Sequence, residues 1–196
     1  MQNKTLYSLA AITLIFIGCS SEAASKSGSQ SEPDQQVTSA ETDLTQTAAN
    51  CSDPEFRQLD FWVGEWDLTW DQRDGNIGQG TNIIVKNEFG DCVITENFDG
   101  APSQHFKGMS VSTYSKPAKM WRQAWVDDQG GFYSLYGGPQ ENGTFKLDME
   151  RINNQGPFRR MIWKNISEDS LDWHWQGKAD EGAEWTDAWV IHYKRK

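Results

Sequence analysis

Histidine and cysteine are scarce, three of each in 196 residues. None of His105, His174 and His192 forms a His-x-x-x-His pair, and no histidine or further cysteine lies at ligand spacing from Cys51 or Cys92, so a metal centre has no support. There is no Gly-x-Ser-x-Gly, no phosphate-binding loop and no dinucleotide fingerprint, which removes the common signatures of acyl transfer, nucleotide hydrolysis and hydride transfer. Basic residues are outnumbered, 18 Lys and Arg against 28 Asp and Glu, and a net charge of −10 argues against nucleic acid and against electrostatic attraction to anionic lipid. Long apolar runs are missing too. The longest, 6–17, falls short of the roughly 20 residues a spanning helix needs. What is abundant is aromatic carbon: ten Trp, nine Phe and five Tyr, enough to build a substantial core.

The N-terminus reads as an address. Residues 1–18 have the three parts of an export signal: Lys4 in a short polar start, the apolar run, and a small Gly18 before Cys19. Phe16-Ile17-Gly18-Cys19 resembles the lipobox of bacterial lipoproteins, with Phe16 where Leu is usual. That resemblance implies a diacylglycerol-modified Cys19 as the first residue of the mature chain, held at a bilayer surface. Ser20 after it resembles lipoproteins sent to an outer membrane, facing the periplasm. Segment 19–50 is mostly Ser, Glu, Gln, Thr and Ala; it cannot bury enough surface to offset its ordering entropy, and is expected to be a tether reaching about 30 Å. The folded domain is then 51–196. Cys51 and Cys92 are an even pair in an exported protein and are expected to form a disulfide, two free thiols being the alternative.

From Leu59 onward, short alternating apolar and polar runs are separated by Gly, Asn, Asp or Pro clusters, which is the pattern of an all-β sandwich or barrel. Strands are expected at 65–71, 80–86, 92–98, 106–115, 120–127, 131–136, 144–151, 158–166, 170–176 and 185–194. Pro54 after Asp53 predicts a short helix or 3₁₀ turn within 53–63. Ten consecutive strands close most simply into an antiparallel up-and-down barrel, which leaves no exposed edge.

Leu59-Asp60-Phe61-Trp62-Val63-Gly64-Glu65-Trp66-Asp67 resembles the opening of a bacterial family, the domain of unknown function numbered 1579. Asp91–Phe98, Trp121–Asp128 and the closing Tyr193-Lys194-Arg195 are similar to it as well, so the resemblance covers nearly all of 53–196. That family is similar in turn to calycins, including lipocalins and the haem-binding nitrobindins. The calycin resemblance implies that Gly64-Glu65-Trp66 is the Gly-x-Trp element whose indole plugs one barrel end, and Arg195 on the last strand is a candidate to stack on Trp66. Nitrobindins bind haem through a late histidine, which singles out His192. The nitrobindin opening continues Gly-x-Trp-x-Gly-x-Gly, however, whereas Trp66 is followed by Asp67-Leu68-Thr69, so no cofactor is expected.

Alternation along 120–127 puts Trp121, Gln123, Trp125 and Asp127 on one face and Arg122, Ala124 and Val126 on the other. The first face suits either a pocket, with apolar walls around a few orienting polar groups, or plain packing with rim hydrogen bonds. Glu96, between Ile94 and Phe98 on its own face, is a carboxylate expected to be buried with a partner, and Arg122 and Arg160 are the candidates. Trp163, Trp173 and Trp175 are expected along the same cavity, with Glu96 or Asp127 accepting from their N–H groups.

The ligand-binding set expected from sequence is therefore Trp66, Glu96, Gln123, Trp125, Asp127, Arg160 and Trp163, with no catalytic residue assigned. The leading expectation is a lipid-anchored envelope protein whose barrel binds a small apolar or amphipathic molecule. The alternatives are a non-catalytic interaction scaffold with a filled interior and an apolar outer patch, and a hydrolase using Glu96 and Asp127 as acid and base.

Overall fold

The structure, a computed structural model, describes residues 51–196, without the side chains of Asn87 and Glu88. The expected leader 1–18, Cys19 and the tether to residue 50 lie outside the described residues. Ten strands follow one another: β1 (Gly64–Asp71), β2 (Ile77–Glu88), β3 (Val93–Asp99), β4 (Lys107–Ser115), β5 (Met120–Asp127), β6 (Phe132–Pro139), β7 (Phe145–Met149), β8 (Phe158–Lys164), β9 (Ser170–Lys178) and β10 (Thr186–Arg195). Each pairs antiparallel with its neighbour in the chain, and β10 closes on β1 with Trp66 opposite Arg195. This is the calycin-like up-and-down barrel, and its closure satisfies the backbone groups an open sheet would leave at its edges.

All ten expected strands are present, and β5 has the expected ends. The largest shifts are of three residues: β2 begins at Ile77 rather than at residue 80, and β6 ends at Pro139 rather than at residue 136. Gly78 lies before the expected start of β2, but the Trp70 indole lies over it, and a Cβ there would run into the ring. The expected helix is two separate 3₁₀ turns, Pro54–Arg57 and Asp60–Trp62.

Those turns seal one end. Leu59 and Trp62 drop into the barrel against Trp66, Trp121, Phe145, Leu147 and Trp163, all at or below 1% exposure. Edge-to-face contacts knit this half together: Trp62 with Trp163 at 5.1 Å, Phe145 with Trp163 at 5.6 Å, Trp121 with Phe145 at 6.1 Å. Such pairs contribute about 1 kcal/mol each beyond their buried area.

Four ties hold the seal. Lys86 on β2 reaches Asp60 and donates to the Phe56 carbonyl at 2.7 Å. The Trp66 indole donates to the Trp62 carbonyl at 2.8 Å, and the Trp121 indole to Gln58 Oε1 at 3.1 Å. The Cys51–Cys92 disulfide, with Cα atoms 5.0 Å apart, joins the start of the domain to the loop before β3. With a sequence separation of 41 between the two cysteines, it stabilises the fold by about 4 kcal/mol in the chain-entropy model.

Arg195 locks the closing strand over the seal. Its guanidinium carbon sits 4.1 Å from the Trp66 ring centroid, and its nitrogens donate to the carbonyls of Val63 (2.8 Å), Phe61 (3.2 Å) and Glu168 (2.7 Å). A lysine has neither the planar face nor the fork to make these contacts at once. Arg195→Lys is expected to lower stability by about 1–3 kcal/mol, read as an earlier urea midpoint with an unchanged slope.

Candidate functional site: an aromatic chamber around Glu96

The other end of the barrel is not filled. Alternation turns Phe98 of β3, Trp125 and Asp127 of β5, Tyr133 of β6, Trp173 and Trp175 of β9 and Trp189 of β10 toward the lumen, and Phe106 leans in from the loop before β4. They enclose a cavity of about 110 Å³ that opens to solvent, with Glu96 and Tyr193 at its inner end. The walls meet at right angles: Trp189 stands 89° to Trp173, with centroids 6.1 Å apart, and 82° to Phe98 at 5.8 Å. Trp173 and Trp175, two residues apart on one face of β9, are parallel within 2°. Gly108 makes room for the Trp125 wall, since a Cβ there would run into the indole.

Glu96 is 6% exposed and has no basic partner. Register supplies its neighbours instead. β2 pairs Ile84 with Glu96 and so brings Asn82 to the diagonal position, and β4 places Ser110 directly opposite. Asn82 Nδ2 donates to Glu96 Oε1 at 2.7 Å and to the Tyr193 hydroxyl at 3.0 Å, and Ser110 Oγ donates to Glu96 Oε2 at 2.6 Å. Burial pushes the carboxyl up to about 7, against the Ser110 and Asn82 hydrogen bonds, which favour the charged form. Burial, with the Glu96 charge adding to it, likewise pushes the Tyr193 phenol above its ordinary value, so it stays neutral.

Asp127 is the opposite case. Partial burial works to raise it, but hydrogen bonds from the Gly131 N–H (2.8 Å), the Trp125 indole (3.0 Å) and the Gln129 N–H (3.0 Å) hold the carboxyl below its ordinary value. It is an ionised rim carboxylate. The two carboxylates of the expected hydrolase pair thus line one chamber with their titrations pushed apart, yet every carboxylate oxygen is already engaged by the fold.

The expected residues divide by position. Glu96, Trp125 and Asp127 line the chamber, with Trp173 and Trp175 beside them. Trp66, Gln123 and Trp163 also point inward but belong to the filled part, where Gln123 Nε2 donates to Ser112 Oγ at 2.9 Å. Trp163 Nε1 finds neither Glu96 nor Asp127 and has no hydrogen-bond partner among the described residues.

Arg160 is corrected. Its strand neighbours Met161 and Trp163 face the core, so it stands outside, stacked 4.0 Å over Trp185 and donating to Gln176 at 2.7 Å. Arg122 is likewise on the outer face, paired with Glu150 at 3.1 Å. His192 is exposed and meets Asp172 at 2.6 Å on the outer surface, away from the chamber. Phe98, Phe106, Tyr133 and Trp189 are additions. For Trp189 the signal was present in the sequence, since Trp189, Ile191 and Tyr193 alternate without a break after the irregularity between Asp187 and Trp189, and all three point inward.

No protein-family model matches the chain, and no curated protein matches it.

The Glu96 carboxyl makes stability depend on pH. In the unfolded chain it ionises near 4.5 and in the barrel near 7, so the native state holds its proton more tightly. The favourable contribution is complete below about pH 4.5, declines as pH rises through that window and is gone above about 7, a loss of roughly 3 kcal/mol. Glu96→Gln, which mimics the neutral acid, is expected to gain on the native protein by that order between pH 4 and pH 8 in urea unfolding. A constant difference across this range contradicts the assignment.

Proposed function

We propose that the protein is a lipid-anchored envelope protein whose barrel holds a small apolar or amphipathic molecule in the aromatic chamber. The observation that carries this reading is the unequal filling of one lumen: sealed at the Trp66 end, open around Trp173, Trp175 and Trp189 at the other. A concave, mainly aromatic site with a few convergent polar groups is the ordinary form of a small-molecule pocket. The chamber volume of about 110 Å³ is of the order of the ~150 Å³ cavity that takes benzene. The resemblance to calycins supports the same reading. So do the lipobox-like residues around Cys19, which suit attachment to an outer membrane on its periplasmic side.

A second reading has its own observation. On the outer face, register aligns Ile83, Met109, Val126 and Phe132 in one row across β2 to β6, interrupted by Asn97, each at least 39% exposed. An interaction scaffold would present such a row to a partner.

Benzyl alcohol separates the two. Saturation-transfer NMR on the purified full-length protein is expected to show transfer to its ring protons. The Trp173→Ala, Trp189→Ala double variant is expected to cut that signal at least fivefold, with Ile83→Ser, Met109→Ser leaving it unchanged. No transfer in the native protein, or the reverse pattern among variants, contradicts the chamber reading. The anchor has a separate test. Intact mass is expected to show a chain beginning at a diacylglyceryl-modified Cys19, and Cys19→Ser is expected to move the protein from the membrane fraction to the soluble one.

A further inference from the structure

The chamber's charge is more specific than its shape. Both ionisable carboxylates of the lining, Glu96 at the inner end and Asp127 at the rim, carry or can acquire negative charge, and among the described residues no Lys, Arg or His lines the cavity. Trp125, Trp173, Trp175 and Trp189 all line this one volume, so a cation inside it has indole π-systems within reach on several sides. A fatty acid or other anion would face two carboxylates without a counter-charge. A neutral hydrocarbon would use the walls and leave the acidic groups idle.

We infer that the chamber, taken as the ligand site proposed above, is built for a compact organic cation, a methylated ammonium head held between indole faces with Glu96 and Asp127 as its counter-charges. Methylation follows from the hydrogen bonding. Glu96 Oε1 already accepts from Asn82 and Oε2 from Ser110, and Asp127 accepts from Gly131, Gln129 and Trp125. A primary ammonium has three N–H groups to satisfy and the chamber walls are mainly aromatic carbon, whereas a methylated one needs only apolar faces and a nearby negative field. A cavity of about 110 Å³ suits such a head, and the substituent it carries leaves through the opening. The head belongs either to a free solute or to a lipid presented by the membrane.

Binding is also linked to protons. Glu96 accepts from Asn82 of β2 and Ser110 of β4, and it lines the cavity with the neutral Tyr193 of β10 and with Asp127 of β5, so a bound cation is the one positive group beside it among the described residues. It therefore draws the proton off Glu96, and affinity rises from pH 6 to pH 8.

The test is isothermal titration of the full-length protein with choline and with the neutral alcohol in which carbon replaces the choline nitrogen. At pH 8 choline is expected to bind at least tenfold more tightly than its isostere and to weaken at least threefold at pH 6. Glu96→Gln is expected to cost choline at least fivefold and the alcohol less than twofold. Should that variant fail to fold, Asp127→Asn is expected to show the same selective loss. Equal or tighter binding of the alcohol, or no selective loss in a folded variant, overturns the inference. If benzyl alcohol binds and choline does not, the chamber stands and its charge preference falls; if neither binds, both readings fall. Competition of choline by phosphatidylcholine vesicles assigns the head to a lipid, and its absence to a free solute, either result following only from choline binding.

Discussion

The interior of this barrel depends on the register in which β10 meets β1. Because side chains alternate across a strand, placing Trp66 opposite Arg195 also places Leu68 opposite Tyr193, and that commits the inward face of β10 up to Trp189. The same pairing brings the Arg195 guanidinium over the Trp66 ring and within reach of the Phe61 and Val63 carbonyls. A slip of one residue would turn Tyr193, Ile191 and Trp189 to solvent and take away one wall of the chamber and part of its inner end. The ring of hydrogen bonds, the seal and the site are therefore a single constraint, enforced where the chain's last strand finds its first.

Within that ring, stability and binding are divided by height. The sealed part concentrates the largest buried side chains and the ties from Lys86, Trp121 and the disulfide. The open part gives up close packing and keeps a carboxylate at the boundary. Glu96 is costly to ionise there, and Asn82 and Ser110 offset only part of the cost. A hydrophobic residue at that position would be the better choice for stability alone. Its presence between the packed layer and the aromatic chamber is a stability loss that makes sense as part of a site.

Strand order and strand face were legible in the sequence because the period of two survives nearly unbroken from Trp66 to Tyr193. The face of β5 carrying Trp121, Gln123, Trp125 and Asp127 is inward as alternation required. Height along the barrel was not legible. Trp125 and Trp163 both point inward, yet one lines the chamber and the other the seal, because that depends on the stagger between strands and not on any one strand's pattern. Nor were the partners of Glu96. A buried acid suggests a basic companion, but Arg122 and Arg160 occupy outward positions, and Asn82 and Ser110, unremarkable in sequence, reach Glu96 only through register. Phe106 comes from the loop before β4, a placement that strand periodicity does not encode.

The central claim is that one lumen has a dry end and a wet end. Hydrogen exchange of the indole N–H groups, resolved one tryptophan at a time by ¹⁵N NMR, tests it most directly. Trp62, Trp66, Trp121 and Trp163, each at most 1% exposed, should exchange only on global unfolding, while Trp173, Trp175 and Trp189 exchange by local access at rates orders of magnitude faster. Uniform protection of all seven would mean a lumen filled by its own side chains, and rapid exchange at Trp62 or Trp163 would mean that the seal does not exist.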